Sequence, residues 1–138
     1  TEAYKAVYEY RQKFPEKAVT FYAQNYPAMG WAVLMAGGSC PVIPCTDKAF
    51  LKDAAIMEVE ETNTDDYKRI VKSDIGSIIY SKSGTEIPVQ LSSGKYVLKY
   101  IHPASGKIET INKSLKINGL YNLKVPDKKE GIYWFHKL

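Results

Sequence analysis

Apolar residues recur at helical spacing in three stretches of the first 57 positions. In residues 3–14 an apolar side chain returns every three or four positions until Pro15, which predicts an amphipathic helix ending before that proline. Residues 27–36 are apolar nearly all round and therefore predict a buried helix. A cap at Thr46 or Asp47 predicts a third helix that runs to about residue 57.

Two short runs of apolar and β-branched residues separate these helices. Residues 18–22 are typical of a buried strand, and residues 42–43 are a second short candidate. The resulting order of helix, strand, helix, strand and helix is that of βα units. We therefore expect short strands among the helices of the first half.

Beyond residue 66 the pattern changes to short strands with period-two alternation. Turn residues separate the candidate strands, which are residues 67–72, 75–81, 86–91, 96–102, 107–112, 115–117, 120–125 and 132–137. Such a succession predicts an antiparallel sandwich or barrel. Asn118-Gly119 fits a two-residue turn that would join residues 115–117 and 120–125 as a hairpin.

The acidic, polar run at residues 60–66 is the predicted boundary between the two patterns. We therefore predict an α+β chain in two parts. Residues 1–62 form a segment of helices and short strands, and residues 63–138 form an antiparallel β-sandwich of about 7–8 strands.

Charge and hydropathy limit the kinds of binding partner that this chain is expected to have. The formal charge of +4 divides into −2 for residues 1–62, with six Lys and Arg against eight Asp and Glu, and +6 for residues 63–138, with 13 against seven. The second part spaces its lysines singly along strands, which favours a solvated sheet face over an anionic partner, and no nucleic acid is expected. The longest apolar run, residues 31–36, is far shorter than the roughly 20 residues of a membrane span, so none is expected.

The two cysteines, Cys40 and Cys45, leave three alternatives open. They could be free thiols, they could close a small disulfide loop, or they could bind a metal ion. The two histidines, His102 and His136, are distant in sequence, so free thiols are favoured and neither a metal ion nor a cofactor is expected.

The candidate ligand-binding residues lie in the loop after the predicted strand at residues 18–22. Tyr22, Gln24, Asn25 and Tyr26 can hydrogen-bond to a sugar and stack on its ring, but they supply no catalytic carboxylate. No acid lies between residues 16 and 47, and the chain has no phosphate-binding loop and no nucleophile elbow. We therefore predict carbohydrate-contact residues but no catalytic residue.

Aromatic residues elsewhere are better explained as core. Alternation in the last strand places Tyr133 and Phe135 on one face and Trp134 and His136 on the other, and one face must be buried. Trp31 lies within the apolar helix and is also expected in the core. That helix needs cover, either from the sandwich and the first helix, which we favour, or from a second copy in a homodimer.

Several stretches together resemble a bacterial module. They are residues 75–80, 86–91 and 94–96, the turn His102-Pro103-Ala104-Ser105-Gly106, and residues 131–135. The resemblance is to the C-terminal β-sandwich attached to (β/α)8-barrel glycoside hydrolases and their relatives, including the type labelled a collagen-binding domain. Residues 17–22 and 26–38 are similar to a late strand of such barrels and the helix that follows it. Where those barrels usually end the strand in Glu, this chain has Ala23-Gln24-Asn25.

This resemblance implies a C-terminal piece of a longer, secreted or cell-surface bacterial protein. The sandwich is then an accessory module that stabilises the barrel and contacts polysaccharide or oligosaccharide. The chain by itself is not expected to be an enzyme, although its parent could be a glycoside hydrolase, because a complete barrel needs about 200 residues or more. Two alternatives remain: a stand-alone carbohydrate-binding module, and a protein-interaction module that uses a sheet edge.

Overall fold

The computed structural model describes residues 1–21 and 28–138, and these form three helices and eight strands. The helices are α1 (Glu2–Lys13), α2 (Ala28–Met35) and α3 (Lys48–Ile56). The strands are β1 (Glu58–Glu60), β2 (Tyr67–Lys72), β3 (Gly76–Ser81), β4 (Glu86–Gln90), β5 (Gly94–Ile101), β6 (Ile108–Ile117), β7 (Leu120–Lys124) and β8 (Gly131–Lys137). The predicted α+β class, with helices followed by an antiparallel sandwich, is confirmed.

The strands form two antiparallel sheets that face each other. The larger has six strands in the order β1-β2-β3-β8-β5-β6, and the smaller pairs β4 with β7. Alternate side chains of both sheets fill the space between them, including Ile87 and Leu123 from the small sheet and Tyr96 and Phe135 from the large one. This inner core is the sandwich that the alternating pattern predicted.

The opposite face of the large sheet carries the helices. Trp31 of α2 and Phe50 of α3 pack with Ile78 and Trp134 of the sheet in a second core. The ring centroids of Phe50 and Trp134 are 5.4 Å apart in an edge-to-face arrangement. Helix α1 forms the outermost layer, and its Val7 packs on α2 in a third, smaller cluster. Side chains on both faces of β8 are therefore buried, whereas the alternation in the sequence required burial of only one face.

Helix α2 is covered by its own chain. Trp31 is 2% exposed, which confirms its predicted place in the core, and its Nε1 donates a hydrogen bond to the carbonyl of Pro103, 2.7 Å away. The sheet covers one side of the helix and α1 covers another. The favoured alternative, burial of this helix against the sandwich and the first helix, is thus what the described residues show.

Two glycines permit backbones to approach closely around α2 and the turn that follows β5. A Cβ on Gly30 would lie 1.7 Å from the carbonyl oxygen of Val42, so no other residue fits there without movement. Gly106 has φ +72°, and its Cβ would lie 2.5 Å from the carbonyl oxygen of Pro44. Because residues 42–44 touch both glycines, the segment between α2 and α3 is clamped against the sandwich.

The short strands predicted in the first half are wrong. Of residues 18–22, the described residues 18–21 lie in neither a helix nor a strand, and residues 42–43 likewise belong to none. Val19 instead accepts one hydrogen bond from Ser39, 2.7 Å away. Runs this short do not establish a strand by themselves, because an apolar run of a few residues has no periodicity that distinguishes strand from other buried structure.

The hairpin predicted at Asn118-Gly119 is also wrong. Strand β6 pairs with β5 in the large sheet, whereas β7 pairs with β4 in the small one, so this turn carries the chain between sheets. Gly119 has φ 91°, but Asn118 is absent from the residues with positive φ, so the two-residue turn does not form. Strands predicted at residues 107–112 and 115–117 are one strand, β6, with two irregularities in its register.

One strand was missed by the sequence pattern. β1 follows α3 directly and pairs with β2, and Glu60 forms an ion pair with Arg69 at 2.7 Å. Its three residues are too few to show alternation. The large sheet therefore begins before residue 62, and the two parts of the chain share both a sheet and a core.

Candidate functional site

The residues predicted to contact carbohydrate lie outside the described part of the chain. Tyr22, Gln24, Asn25 and Tyr26 all fall within residues 22–27. Their role in glycan contact therefore stays a prediction. Three other arrangements of polar side chains are present among the described residues: a buried carboxylate under α3, a tyrosine cluster around residues 129–130, and a cleft beside α1.

The buried carboxylate is Asp53, which is 4% exposed and lies on the face of α3 that meets the sheet. The helix is positioned at its start by Asp47, whose carboxylate accepts a hydrogen bond from the Phe50 amide at 2.9 Å. Oδ2 of Asp53 accepts hydrogen bonds from Trp134 Nε1 at 2.9 Å and His136 Nδ1 at 2.7 Å. The carboxylate thus fixes two neighbouring side chains of β8 to the helix.

An aspartate–histidine pair of this kind also orients the base in hydrolytic triads. No serine, threonine or cysteine in the described residues hydrogen-bonds to His136, so a nucleophile is not assembled there. Lys99 lies over the Trp134 ring, 4.8 Å from its centroid, and adds a cation–π contact. The arrangement connects α3 to the sheet, and its hydrogen bonds are made between side chains of the chain itself.

The sequence contains a signal for the buried position of Asp53. Asp53 lies three positions after Phe50 and four before Met57, on the apolar stripe of α3. A charged residue on such a stripe must find a buried partner, since an unpaired buried charge is costly. The identity of that partner, more than 80 residues away on β8, could not be inferred from spacing.

A tyrosine cluster holds the segment before β8. The hydroxyls of Tyr80, Tyr100 and Tyr133 donate to the Glu130 carboxylate at 2.7 Å, the Glu130 carbonyl at 2.8 Å and the Lys129 carbonyl at 2.8 Å. Burial, followed by the hydrogen bond to Glu130, raises the pKa of Tyr80 to about 12. Burial likewise raises the pKa of Tyr133 to about 12. These hydroxyls are occupied as donors, so the cluster supports the loop.

Charged side chains border this cluster. Glu109 lies 3.1 Å from His102 Nε2 and 3.4 Å from Lys129 Nζ, and the hydrogen bond from His102 is the main cause that lowers the pKa of the Glu109 carboxyl. Lys129 also lies 4.9 Å from the centroid of the Tyr100 ring. The adjoining cavity of about 200 Å³ is small, so this end of the sandwich offers little room for a ligand.

A cleft of about 730 Å³ lies between α1, α3 and the segment that follows α2. We call it the α1–α3 cleft. Its lining includes Tyr8, Arg11 and Gln12 of α1, and Glu58 is its only carboxylate among the described residues. Cavities of about 300–1,000 Å³ are the usual size of small-molecule sites. The sequence gave no indication of this cleft, because its walls meet only in the folded chain.

Both cysteines are free, and their surroundings differ. Cys40 is exposed and lines the α1–α3 cleft, whereas Cys45 is buried. Burial raises the pKa of the Cys45 thiol. Within the described residues no three His, Cys, Asp or Glu side chains are placed to hold a metal ion. No helix in that part of the chain is long and apolar enough to cross a membrane.

Comparison with known proteins gives limited matches. A family model described as a domain of unknown function, DUF6298, matches residues 1–57, and none of the curated proteins compared with the chain matches it. A solved structure described as a glycoside hydrolase is 14% identical with a TM-score of 0.44, over 59% of this chain and 21% of that one. CapF with the inhibitor 3-isopropenyl-tropolone is 12% identical with a TM-score of 0.18, over 99% of this chain and 43% of that one. This chain thus spans about a fifth of the glycoside hydrolase's length.

Proposed function

We propose that this chain is a non-catalytic region of a glycoside-hydrolase-like protein, in which the β-sandwich stabilises the helical segment. The observation that carries the proposal is the core shared by helices α2 and α3 and the outer face of the large sheet. Trp31, Phe50 and Trp134 are each no more than 2% exposed, so the helices depend on the sheet for their burial. An accessory sandwich that supports a neighbouring segment needs such a contact.

The non-catalytic part of the proposal rests on the carboxylates. Glycoside hydrolases usually need two of them on either side of the scissile bond, about 5–10 Å apart. In the described residues the α1–α3 cleft is lined by one, Glu58, while Asp53 is buried beneath α3. Contact with polysaccharide or oligosaccharide through Tyr22, Gln24, Asn25 and Tyr26 belongs to the proposal as a prediction, and so does an extracytoplasmic location.

Unfolding of an Asp53→Ala variant tests the stabilising role. Loss of the carboxylate leaves Trp134 and His136 without their acceptor, so we expect the free energy of unfolding to fall by about 2–3 kcal/mol. The circular-dichroism signals of the helices and of the β-sheet should shift to lower denaturant together, because helices and sheet share one core. Both probes are followed in the same urea titration.

Asp65→Ala is the matched control. Asp65 pairs with Lys68 at 3.3 Å, but its side chain is 91% exposed, so its loss should leave the free energy of unfolding nearly unchanged. The proposal fails if the Asp53→Ala variant loses its helical signal in a separate, earlier transition while the sheet unfolds as before. Helices that melt independently would not be stabilised by the sandwich.

A further inference from the structure

The α1–α3 cleft has walls of two different kinds. Helix α1 contributes polar side chains, Tyr8, Arg11 and Gln12, and Ser39 adds a hydroxyl from the segment after α2. Helix α3 contributes small and apolar side chains, of which Leu51 is 43% exposed. A ligand that fills this cleft must therefore present hydrogen-bonding groups on one side and C–H groups on the other. A sugar ring has both kinds of surface.

Arg11 is held in a fixed position at the edge of the cleft. Its Nη1 donates to the carbonyls of Pro15 at 3.1 Å and Lys17 at 3.3 Å, which ties the guanidinium to the turn that follows α1. Among the described residues, Arg11 makes these two hydrogen bonds through Nη1 alone, and neither of its acceptors is a carboxylate. A guanidinium positioned in advance loses little side-chain entropy when it binds a carboxylate through two parallel hydrogen bonds.

The backbone beside the cleft is strained. Cys40 has φ 52°, in the left-handed region that residues with a Cβ rarely adopt, and it is exposed. Such strained backbone is found most often at binding and active sites. The strained residue lines the same cleft as Arg11. The cavity, the positioned guanidinium and the strained backbone are three independent features of one place.

We propose that the α1–α3 cleft binds a sugar acid, a pyranose that carries a carboxylate. Arg11 receives the carboxylate, and Gln12, Ser39 and Glu58 hydrogen-bond to the ring hydroxyls, with Glu58 as an acceptor. The ring lies between Tyr8 and the apolar side chains of α3. The choice of a sugar among carboxylate ligands rests on the glycoside-hydrolase-like function proposed above.

Protection of Cys40 from alkylation reports occupancy of the cleft directly. Glucuronate is added to the intact chain with iodoacetamide, and the modification rate of each cysteine is followed by mass spectrometry. Bound glucuronate should slow modification of Cys40 severalfold in a saturable way. Cys45 is buried and serves as an internal control for unfolding. Glucose and succinate are tested in parallel, since the first lacks the carboxylate and the second lacks the ring.

The proposal is supported if glucuronate protects Cys40 and neither glucose nor succinate does so at the same concentration. If succinate protects Cys40 as well as glucuronate does, the cleft is a general carboxylate site, and the choice of a sugar is overturned. Equal protection by glucose, which lacks the carboxylate, would contradict the role proposed for Arg11. Absence of protection by glucuronate at millimolar concentrations overturns the proposal altogether. The stabilising role of the sandwich would be unaffected, since it is judged by the unfolding of Asp53→Ala.

Substitutions on the α1 and α3 walls of the cleft distinguish an effect on ligand binding from an effect on folding. Calorimetry should show Arg11→Gln to weaken glucuronate binding by about tenfold or more, because a hydrogen-bonded charge pair is lost. Lys13→Gln removes the same charge from an exposed position of the same helix outside the cleft and should leave the affinity unchanged. Ala55→Trp places a large side chain in the cleft from α3, leaves the Arg11 residue itself unchanged and should also weaken binding. Equal weakening by Lys13→Gln would contradict the proposal.

Discussion

Tyrosine hydroxyls are the most heavily used polar side chains in the sandwich. Tyr80, Tyr100 and Tyr133 converge on residues 129 and 130, and Tyr96 donates to the Ser92 carbonyl at 2.7 Å. Each ring contributes apolar area to the core while its hydroxyl satisfies a backbone or carboxylate oxygen at the rim. Tyrosine at these four positions is explained by packing and loop support.

The raised tyrosine pKa values predict a loss of stability in alkali. Tyr80 and Tyr133 keep their protons up to a pKa of about 12 in the folded chain, whereas an unfolded tyrosine ionises near pH 10. Between these pH values the unfolded chain binds fewer protons than the folded chain, so the free energy of unfolding falls as pH rises. Urea titrations between pH 9 and pH 12, the range these pKa values define, should show this fall.

The double variant Tyr80→Phe/Tyr133→Phe should flatten that dependence, since two protons that distinguish the folded chain are removed. Tyr10→Phe is the control, because Tyr10 is 59% exposed on α1. A pH dependence that is the same in the double variant and the control would contradict the account given for these two hydroxyls.

Helix α2 is the element whose surroundings most constrain its sequence. It packs on the sheet through Trp31 and Met35, on α1 through Val33, and against the carbonyl of Val42 at Gly30. A helix enclosed on so many sides needs no amphipathic pattern, which is why its residues are apolar nearly all round. Gly30 is required by the close approach of another segment, although glycine is a poor helix former.

Gly30→Ala is expected to reverse the usual effect of alanine in a helix. Alanine normally stabilises a helix interior by about 0.5–1 kcal/mol relative to glycine. Here the added Cβ would lie 1.7 Å from the carbonyl oxygen of Val42, so a backbone must move and we expect a loss of roughly 1–3 kcal/mol. Thermal or urea unfolding measures the sign.

Ala55→Gly in α3 is the matched comparison for that variant. Ala55 is exposed, so its replacement should lower stability only by the ordinary preference for alanine, about 0.5–1 kcal/mol. If Gly30→Ala stabilises the chain, α2 does not pack on residues 42–44 in the way described. The close contact between these two segments would then be contradicted.

The whole molecule is built as layers around one central sheet. The small sheet covers one face, and α2 and α3 cover the other, with α1 outermost. Strand β8 lies in the middle of the large sheet and contributes to both cores, through Tyr133 and Phe135 on one side and Trp134 on the other. Loss of the C-terminal strand should therefore affect every layer at once.

At this scale we predict that the isolated chain hydrolyses no glycosidic bond. The described cleft holds one carboxylate. Hydrolysis of a glycosidic bond usually needs two carboxyl groups, one as the general acid and the other as the nucleophile or general base. The measurement is turnover of a panel of aryl glycosides and polysaccharides by the purified chain, with heat-denatured protein as the control. Turnover that copurifies with the folded chain and disappears on denaturation would contradict the prediction.

Local structure followed closely from the sequence. Helices α1 and α3 begin and end where apolar periodicity, Pro15 and the Asp47 cap place them, because these signals act over four or five residues. Strand β5 shows the expected period-two alternation, with Tyr96, Leu98 and Tyr100 buried, since alternate residues of a strand face opposite sides. Burial of Trp31 followed from its position in an apolar helix.

Long-range pairing was decided only by the tertiary structure. The turn at Asn118-Gly119 is compatible with a hairpin, yet β6 and β7 find better partners in different sheets, because their apolar faces must enclose the inner core together. Asp53 could be recognised as unusual, but its acceptor role depends on β8 passing beneath α3. The α1–α3 cleft exists because α1, α3 and the segment after α2 meet without filling the space between them. Local preference determined the elements of this protein, and the burial of shared apolar faces determined how they are arranged.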